Sequence, residues 1–252
     1  MGVFFSKQDK VAFRTQEEVT AYWLKHGAHQ LSDAEVDGML DLMVDDVTFK
    51  ITTDIFCENL GTVDANAHIL DAGCGWGRSL IGLKRRYPDA HFTGVDVTGA
   101  LLELGQNICD RLDIGGVEWK EASLLELPFE DGTFSHIVST RVLHYMVEPE
   151  TAAKELMRVL KPGGPIIAMV PNRWNPLLAM CYHTNLYSPK NLRAWFSGGH
   201  THTVSSGSIG FIPPFRFLRK YAGLDRVDRV LRRIPCLRGL GGLAYVVARK
   251  QS

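Results

Sequence analysis

The sequence lacks several features that would assign it to common classes of protein. No apolar run approaches the ~20 residues that a helix needs to cross a bilayer, and residues 1–10 lack the apolar segment of a signal peptide. Lys plus Arg equal Asp plus Glu at 28 each, so the formal net charge is zero. This balance disfavours a nucleic-acid partner, and we expect a cytoplasmic protein without a transmembrane segment.

Paired cysteines and clusters of metal ligands are also missing. The five cysteines are odd in number, widely spaced and form no C-x-x-C pair, which is typical of reduced thiols in the cytosol. His200 and His202 have no third ligand near them in the sequence, so we predict no metal site. No internal repeat or low-complexity tract is present, and 252 residues are enough for one well-buried core.

The most informative stretch that is present is 68–78, which reads HILDAGCGWGR. An apolar run ends in Asp71, and glycines follow at every second position, which predicts a buried strand and a tight turn into a helix. The spacing differs from the G-x-G-x-x-G of dinucleotide-binding proteins. A carboxylate at Asp71 would repel a pyrophosphate and suits a ligand that carries an ammonium and a sulfonium group.

A second acid follows at the end of the next predicted strand. The stretch 91–96 ends in Asp96, 25 residues after Asp71. A carboxylate at such a strand tip can accept hydrogen bonds from both hydroxyls of a ribose. Because dinucleotide-binding proteins share this feature, it indicates a nucleoside without identifying which one.

Two later segments complete a pattern. The stretch 122–138 contains Leu127-Pro128-Phe129, and 155–164 ends in Lys161-Pro162-Gly163-Gly164. With the two earlier segments, they make residues 65–171 resemble the class I S-adenosylmethionine-dependent methyltransferases, in particular small-molecule enzymes of the ubiquinone and menaquinone methyltransferase type. The resemblance implies a Rossmann-like α/β fold, with a seven-stranded, mostly parallel sheet and helices on both faces. It also implies S-adenosylmethionine as cofactor and S-adenosylhomocysteine as product.

The pattern of strands and helices fits this fold. We predict strands at 67–72, 91–97, 116–121, 133–140, 164–171, 202–212 and 243–249, and helices at 16–27, from Ser32, at 48–60, 77–87, 98–112, 148–160 and from Pro189 after a Ser188 cap. We expect one domain over 1–252: an N-terminal helical cap over 1–65, a cofactor-binding core over 66–212, a basic helical insertion over 213–242 and a last strand over 243–252.

The resemblance also implies a set of cofactor contacts. These are Asp71, Gly73, Gly75 and Trp76 around the methionine part, Asp96 and Val97 at the ribose, Ser123 and Leu124 at the adenine, and Thr140 beneath the sulfonium. Ser123 stands where many relatives have an Asp, and His136 departs from the family in the same way. Without that charge, the hydroxyl can only accept a neutral hydrogen bond from the adenine.

Methyl transfer requires the acceptor, the methyl carbon and the sulfur to be held in line, and a hydroxyl acceptor also needs a base. We predict His144 as that base, beside Tyr145, because an imidazole titrates near neutral pH. Arg141, Tyr182 and His183 are the predicted substrate-binding residues. For each residue, a purely structural role stays open. A small-molecule oxygen or nitrogen acceptor is favoured, and the D/N-P-P-Y and Pro-Cys motifs of nucleic-acid methyltransferases are absent.

The insertion is rich in basic residues. Eight lie between Arg216 and Arg238, against Asp225 and Asp228 only. We expect either a solvated basic face of amphipathic helices, or a docking surface for an acidic carrier protein or a lipid headgroup. Two further functions therefore stay open: a C-methyltransferase of a lipid quinone at a membrane surface, and a catalytically silent cofactor-binding protein that acts through a partner.

Overall fold

The computed structural model describes residues 15–26, 47–175, 185–198, 201–211, 224–234 and 237–251. They contain a seven-stranded sheet in the order β3-β2-β1-β4-β5-β7-β6. The strands are β1 His68–Ala72, β2 His91–Asp96, β3 Val117–Glu121, β4 His136–Thr140, β5 Pro165–Pro171, β6 Thr201–Ile209 and β7 Leu243–Lys250. The helices are α1 Gln16–His26, α2 Val47–Leu60, α3 Arg78–Arg86, α4 Gly99–Arg111, α5 Pro149–Val159, α6 Pro189–Trp195 and α7 Leu224–Leu231, with a 3₁₀ turn at Leu143–Tyr145.

The first five strands are parallel, and the last breaks the pattern. β7 lies antiparallel between β5 and β6, with Leu243 opposite both Pro171 and Ile209. The carboxyl ends of β1 to β6 therefore share one edge of the sheet with the start of β7; we call this the carboxyl edge. Ligands of open α/β sheets bind at this edge.

Helices cover both faces of the sheet, as predicted. Leu70 and Ala72 pack in one buried cluster with residues of α5 and α6, such as Leu156 and Leu192. Ile69 points to the other face, where Ile55 of α2 belongs to the second cluster. Neighbouring residues of a strand face opposite sides, so a strand buried on both faces reads as a continuous apolar run. The predicted fold class is confirmed.

The ends of several elements are set by local hydrogen bonds. Ser188 caps α6: its hydroxyl accepts the backbone N–H of Asn191, and the Asn191 side chain accepts the N–H of Ser188 in return. The predicted start of this helix is confirmed. β4 begins at His136, three residues later than predicted, because Phe134 forms only an isolated bridge with Leu160. The predicted helix from Ser32 lies outside the described residues.

The described part of the basic insertion is fastened to the body of the protein. Arg229 of α7 forms an ion pair with Asp54 at 3.0 Å, and Arg232 forms one with Glu58 at 2.8 Å. Asp228 is fully buried and accepts the backbone N–H of Phe211 at 2.8 Å. Two of the insertion's basic residues are thus neutralised within the chain. No described helix is long and apolar enough to cross a membrane.

Candidate functional site

The glycine turn after β1 is closely packed on one side and open on the other. Gly73 adopts φ +72°, and an added Cβ would lie 2.5 Å from the side chain of Val142, so only glycine fits. A Cβ added to Gly75 would meet nothing nearer than Leu101, at 3.9 Å. The turn therefore leaves free space beside Gly75, where a ligand can approach the backbone.

Asp96 fixes this turn to the end of β2. One carboxylate oxygen accepts the N–H of Gly75 at 2.8 Å, and the other accepts the N–H of Thr98 at 3.0 Å. Burial raises the pKa of Asp96, while these hydrogen bonds lower it. Each carboxylate oxygen can accept more than one hydrogen bond, so both keep capacity for ligand hydroxyls.

Asp71 lies behind the turn and is only 2% exposed. Its carboxylate accepts the N–H of Leu80 in the first turn of α3, at 3.1 Å. Burial raises its pKa to about 7, and the charge of Asp96 adds to this shift. The residue braces the helix that follows the turn and titrates near neutral pH.

The segment expected at the adenine lies beside Asp96. The N–H of Ala122 donates to the Asp96 carbonyl at 3.0 Å, and the Ser123 hydroxyl accepts the N–H of Leu125 at 3.2 Å. Ser123 thus stabilises its own turn, while Leu124 is buried in the core. Val97, directly after Asp96, is half-buried, and its contact with the ribose stays a prediction.

Arg158 holds the rest of that loop, a role that the sequence analysis missed. Its guanidinium donates to the carbonyls of Leu127 and Phe129 and pairs with Glu155 and Asp131, both at 2.7 Å. Glu155 also accepts the N–H of Leu127. The spacing of an acid three residues before a base on a helix is the signal that could have indicated this clamp.

Trp76 packs sideways against α4. It contacts the small cluster of Ile81, Ile108 and Cys109, next to Trp119. Its predicted contact with the methionine part stays a prediction.

The end of β4 brings polar groups to the carboxyl edge. The Thr140 hydroxyl is buried and has no hydrogen-bond partner within the part of the chain that the structure describes. Arg141 follows with φ +57°, a conformation that is strained for any residue with a side chain, and its N–H donates to Met169 at 2.8 Å. Its side chain is exposed. The strained residue leads directly to Val142, which packs on Gly73.

The predicted base lies beneath an aromatic stack. His144 is 1% exposed, and its ring centre is 3.9 Å from that of Tyr145. Trp23 of α1 packs on Tyr145 at 4.9 Å, and Gln16 accepts the N–H of Val147 at 3.2 Å. Burial, with a smaller effect of the Arg141 charge, lowers the pKa of His144 to about 3. Such a ring is a weak proton acceptor at neutral pH, and its role as base stays a prediction.

The predicted site residues therefore fall into three sets. Those of the glycine turn and of the segments at the ends of β2, β3 and β4 lie at the carboxyl edge, and Arg141, His144 and Tyr145 follow β4 there. Tyr182 and His183 lie outside the described residues. In the part of the chain that the structure describes, no group of three or more His, Cys, Asp or Glu side chains is arranged to hold a metal ion.

A parallel sheet in this strand order, with a glycine turn and two acids at its carboxyl edge, defines the class I methyltransferase fold. Comparison with known proteins agrees: residues 69–164 match the family model described as "Methyltransferase domain". Residues 69–164 are thus a methyltransferase domain, and their motifs and strand order are similar to those of the class I S-adenosylmethionine-dependent methyltransferases.

Curated relatives cover the same region. The O-methyltransferase cnsE of Penicillium expansum is 33% identical over 101 residues, 40% of this chain and 36% of that protein. The ubiquinone/menaquinone biosynthesis C-methyltransferase UbiE of Geotalea daltonii is 31% identical over 106 residues, 41% of this chain and 45% of that protein. This chain thus spans less than half the length of either relative.

A solved structure extends the likeness to most of the chain. Geranyl diphosphate C-methyltransferase from Streptomyces coelicolor A3(2) has a TM-score of 0.65 at 19% identity, with 96% of this chain and 99% of that chain covered. At this identity, the likeness concerns the fold alone.

Proposed function

We propose that this protein binds S-adenosylmethionine at the carboxyl edge and transfers its methyl group to a small-molecule acceptor. One observation carries the proposal: the Asp96 carboxylate is fixed by the N–H groups of Gly75 and Thr98 at 2.8 and 3.0 Å, beside an open glycine turn. A carboxylate held in this way is suited to accept the two hydroxyls of a ribose.

The other residues of the edge fit the same cofactor. The carboxylate of Asp71 attracts the ammonium and the sulfonium group of this cofactor. The hydroxyl of Thr140, which has no hydrogen-bond partner among the described residues, lies at the end of β4, where we place the methyl-bearing end. Leu124 and the backbone around Ser123 would border the adenine. The structural neighbour from Streptomyces coelicolor was solved in complex with S-adenosyl-L-homocysteine, which supports this choice.

When bound, S-adenosylmethionine supplies a methyl group that is already activated by the positive sulfur. The protein then has to position the acceptor and exclude water. We assign the positioning to Arg141 and Tyr145, with Trp23 of α1 packed over the tyrosine. Tyr182 and His183 stay proposed substrate-binding residues on sequence grounds.

We favour an oxygen or nitrogen acceptor. Relatives named as O-methyltransferases support it, whereas His144 supports it less than the sequence alone suggested, because burial lowers its pKa to about 3. Relatives named as C-methyltransferases support the second candidate, methylation of carbon in a lipid quinone.

Cys57, Cys74 and Cys109 are free thiols, which supports the cytoplasm as the proposed location.

Calorimetric titration tests the proposal. We expect S-adenosylmethionine and S-adenosylhomocysteine to bind and NADH not to bind; binding of NADH alone would overturn the proposal. Incubation with methyl-labelled S-adenosylmethionine and a panel of phenols, amines and quinols then tests transfer. Cofactor binding without transfer to any acceptor would favour the silent cofactor-binding protein.

A further inference from the structure

Exposed apolar side chains are concentrated next to the carboxyl edge. Five of the eight large hydrophobic residues that are exposed in the described part of the chain fall in two short segments: Trp174, Val227, Val230, Ile234 and Leu240. Trp174 and Val230 are the most exposed of all, at 59% each. Such a concentration of exposed apolar side chains is a candidate interaction site.

The α7 residues of this set share one face of their helix. At 3.6 residues per turn, Arg226, Val227 and Val230 fall on one side, and Arg233 and Ile234 continue it in the turn that follows. The opposite side holds Asp228, buried against Phe211, and the arginines that pair with α2. The helix is therefore anchored by its inner side and presents valines and arginines outward.

Hydrogen bonds join this face to Trp174. The N–H of Leu237 donates to Ile234 at 3.0 Å, the N–H of Leu240 donates to Leu237 at 2.8 Å, and the Asn175 side chain donates to the Leu240 carbonyl at 3.0 Å. Trp174 precedes Asn175. We call these apolar residues, together with Arg173, Arg226 and Arg233, the edge rim.

The rim is held rigidly at the carboxyl edge. The buried side chain of Asn172 donates to the carbonyls of Gly239 and Gly241, both at 2.7 Å, and accepts the N–H of Trp174 at 3.2 Å. The guanidinium of Arg173 lies 5.7 Å from the centre of the Trp174 ring. Tryptophan is enriched where proteins meet the boundary between membrane and water.

We propose that the edge rim docks on an anionic lipid surface. Its arginines would lie at the headgroups, and its apolar side chains would enter the boundary below them. The charge of the rim favours this occupant: Arg173, Arg226 and Arg233 are exposed, whereas Asp228 of α7 is buried. Because the rim borders the carboxyl edge, a bilayer there would deliver an apolar acceptor directly to the site. This last step rests on the proposed function, whereas docking does not.

Sedimentation with vesicles tests the docking. At low salt, we expect the whole protein to bind vesicles of equal parts phosphatidylglycerol and phosphatidylcholine, and to bind pure phosphatidylcholine far less. Two variants should each lower the partition coefficient at least about tenfold: the single substitution Val230→Asp, and the double substitution Arg226→Glu with Arg233→Glu. Trp174→Phe should remove most of the blue shift of tryptophan fluorescence that vesicles cause.

Matched controls keep the test specific. Val204→Asp alters another valine of similar exposure, 52%, and Arg85→Glu with Lys154→Glu reverses two exposed charges elsewhere. Both should bind vesicles like the unaltered protein. Equal losses in these controls, or absence of binding by the unaltered protein, would overturn the proposal. Loss of binding in the arginine variant but not in Val230→Asp would overturn the insertion of the apolar side chains, because the attraction to the vesicles would then be electrostatic only.

The two proposals fail separately. Titration with S-adenosylhomocysteine and the thermal midpoint of each variant show whether it is folded with an intact edge. Vesicle binding without cofactor binding would refute the proposed function alone, whereas cofactor binding without vesicle binding would refute the rim alone.

Discussion

The Asp96 carboxylate gives the sharpest test of the site, through the nearly isosteric substitution Asp96→Asn. Both carboxylate oxygens accept backbone N–H groups, from Gly75 and Thr98. Asparagine offers one oxygen and one NH₂ group, so one of the two N–H donors would face another donor. The variant also loses the charge that strengthens hydrogen bonds to ribose hydroxyls.

The magnitude follows from these two losses. An unsatisfied buried donor costs about 1–3 kcal/mol, and a hydrogen bond to a charged group contributes about 1.5–3 kcal/mol. The losses overlap, because the variant turn can relax away from the ligand. We therefore expect about 2–4 kcal/mol, which is a fall in affinity for S-adenosylhomocysteine of about 30- to 900-fold.

The assay is calorimetric titration at pH 7.5, with competition by a tighter ligand where binding is weak. Asp110→Asn is the matched control, because Asp110 is exposed on α4 and its carboxylate accepts a hydrogen bond from the Gln106 side chain, away from the glycine turn. Its affinity should equal that of the unaltered protein. If Asp96→Asn stays within threefold, Asp96 does not hold the ribose, and our placement of the cofactor is wrong.

Three further predictions follow from the same edge. Burial raises the pKa of Asp71 to about 7, so its carboxyl group becomes negatively charged between pH 6 and 8. Affinity for the cationic cofactor should therefore rise over this range and level off above it. Calorimetry should show no such rise in Asp71→Asn. Burial lowers the pKa of His144 to about 3, so below pH ~6.5 the imidazole is protonated in the unfolded chain but stays neutral in the folded protein. About 2–3 kcal/mol of the free energy of unfolding should therefore be lost between pH 7 and pH 4.5. Urea unfolding should show this loss in the unaltered protein and not in His144→Phe. Arg141→Gly should raise the thermal midpoint, because it relieves about 1 kcal/mol of backbone strain at φ +57°. The same substitution should lower kcat/KM, because it removes the side chain that we assign to the acceptor. An unchanged kcat/KM would show that Arg141 is not part of the acceptor site.

Much of the fold could be predicted because its strands are buried on both faces. β1 and β5 carry continuous apolar runs, and glycines mark the turn after Asp71. The end of β2 at Asp96 could also be predicted, since an acid interrupts an apolar run there. The predicted limits of β4 were less accurate, because Phe134 is buried in the core without belonging to the strand.

The chemistry of the site was less predictable, because it depends on contacts between distant segments. The sequence placed a histidine after β4, but gave no sign that packing would bury His144 and depress its pKa. The contact of Val142 with Gly73 and the bonds of Arg158 to Leu127, Phe129 and Asp131 likewise join segments far apart in the chain. The basic insertion shows the same limit: its composition could not reveal that Arg229 and Arg232 pair with α2 while Arg226 and Arg233 face outward.

The position of β7 has a consequence for how the chain is assembled on the ribosome. In the described sheet, β6 pairs only with β7, and β7 fills the gap between β6 and β5. During synthesis from the N-terminus, the five parallel strands can associate as soon as β5 has emerged. β6 must wait, without a partner, until residues 243–250 follow it. Most of the edge rim, from Arg226 to Leu240, lies in the chain between these two strands. A nascent protein could therefore complete its cofactor edge well before it can present the whole surface that we expect to meet lipid.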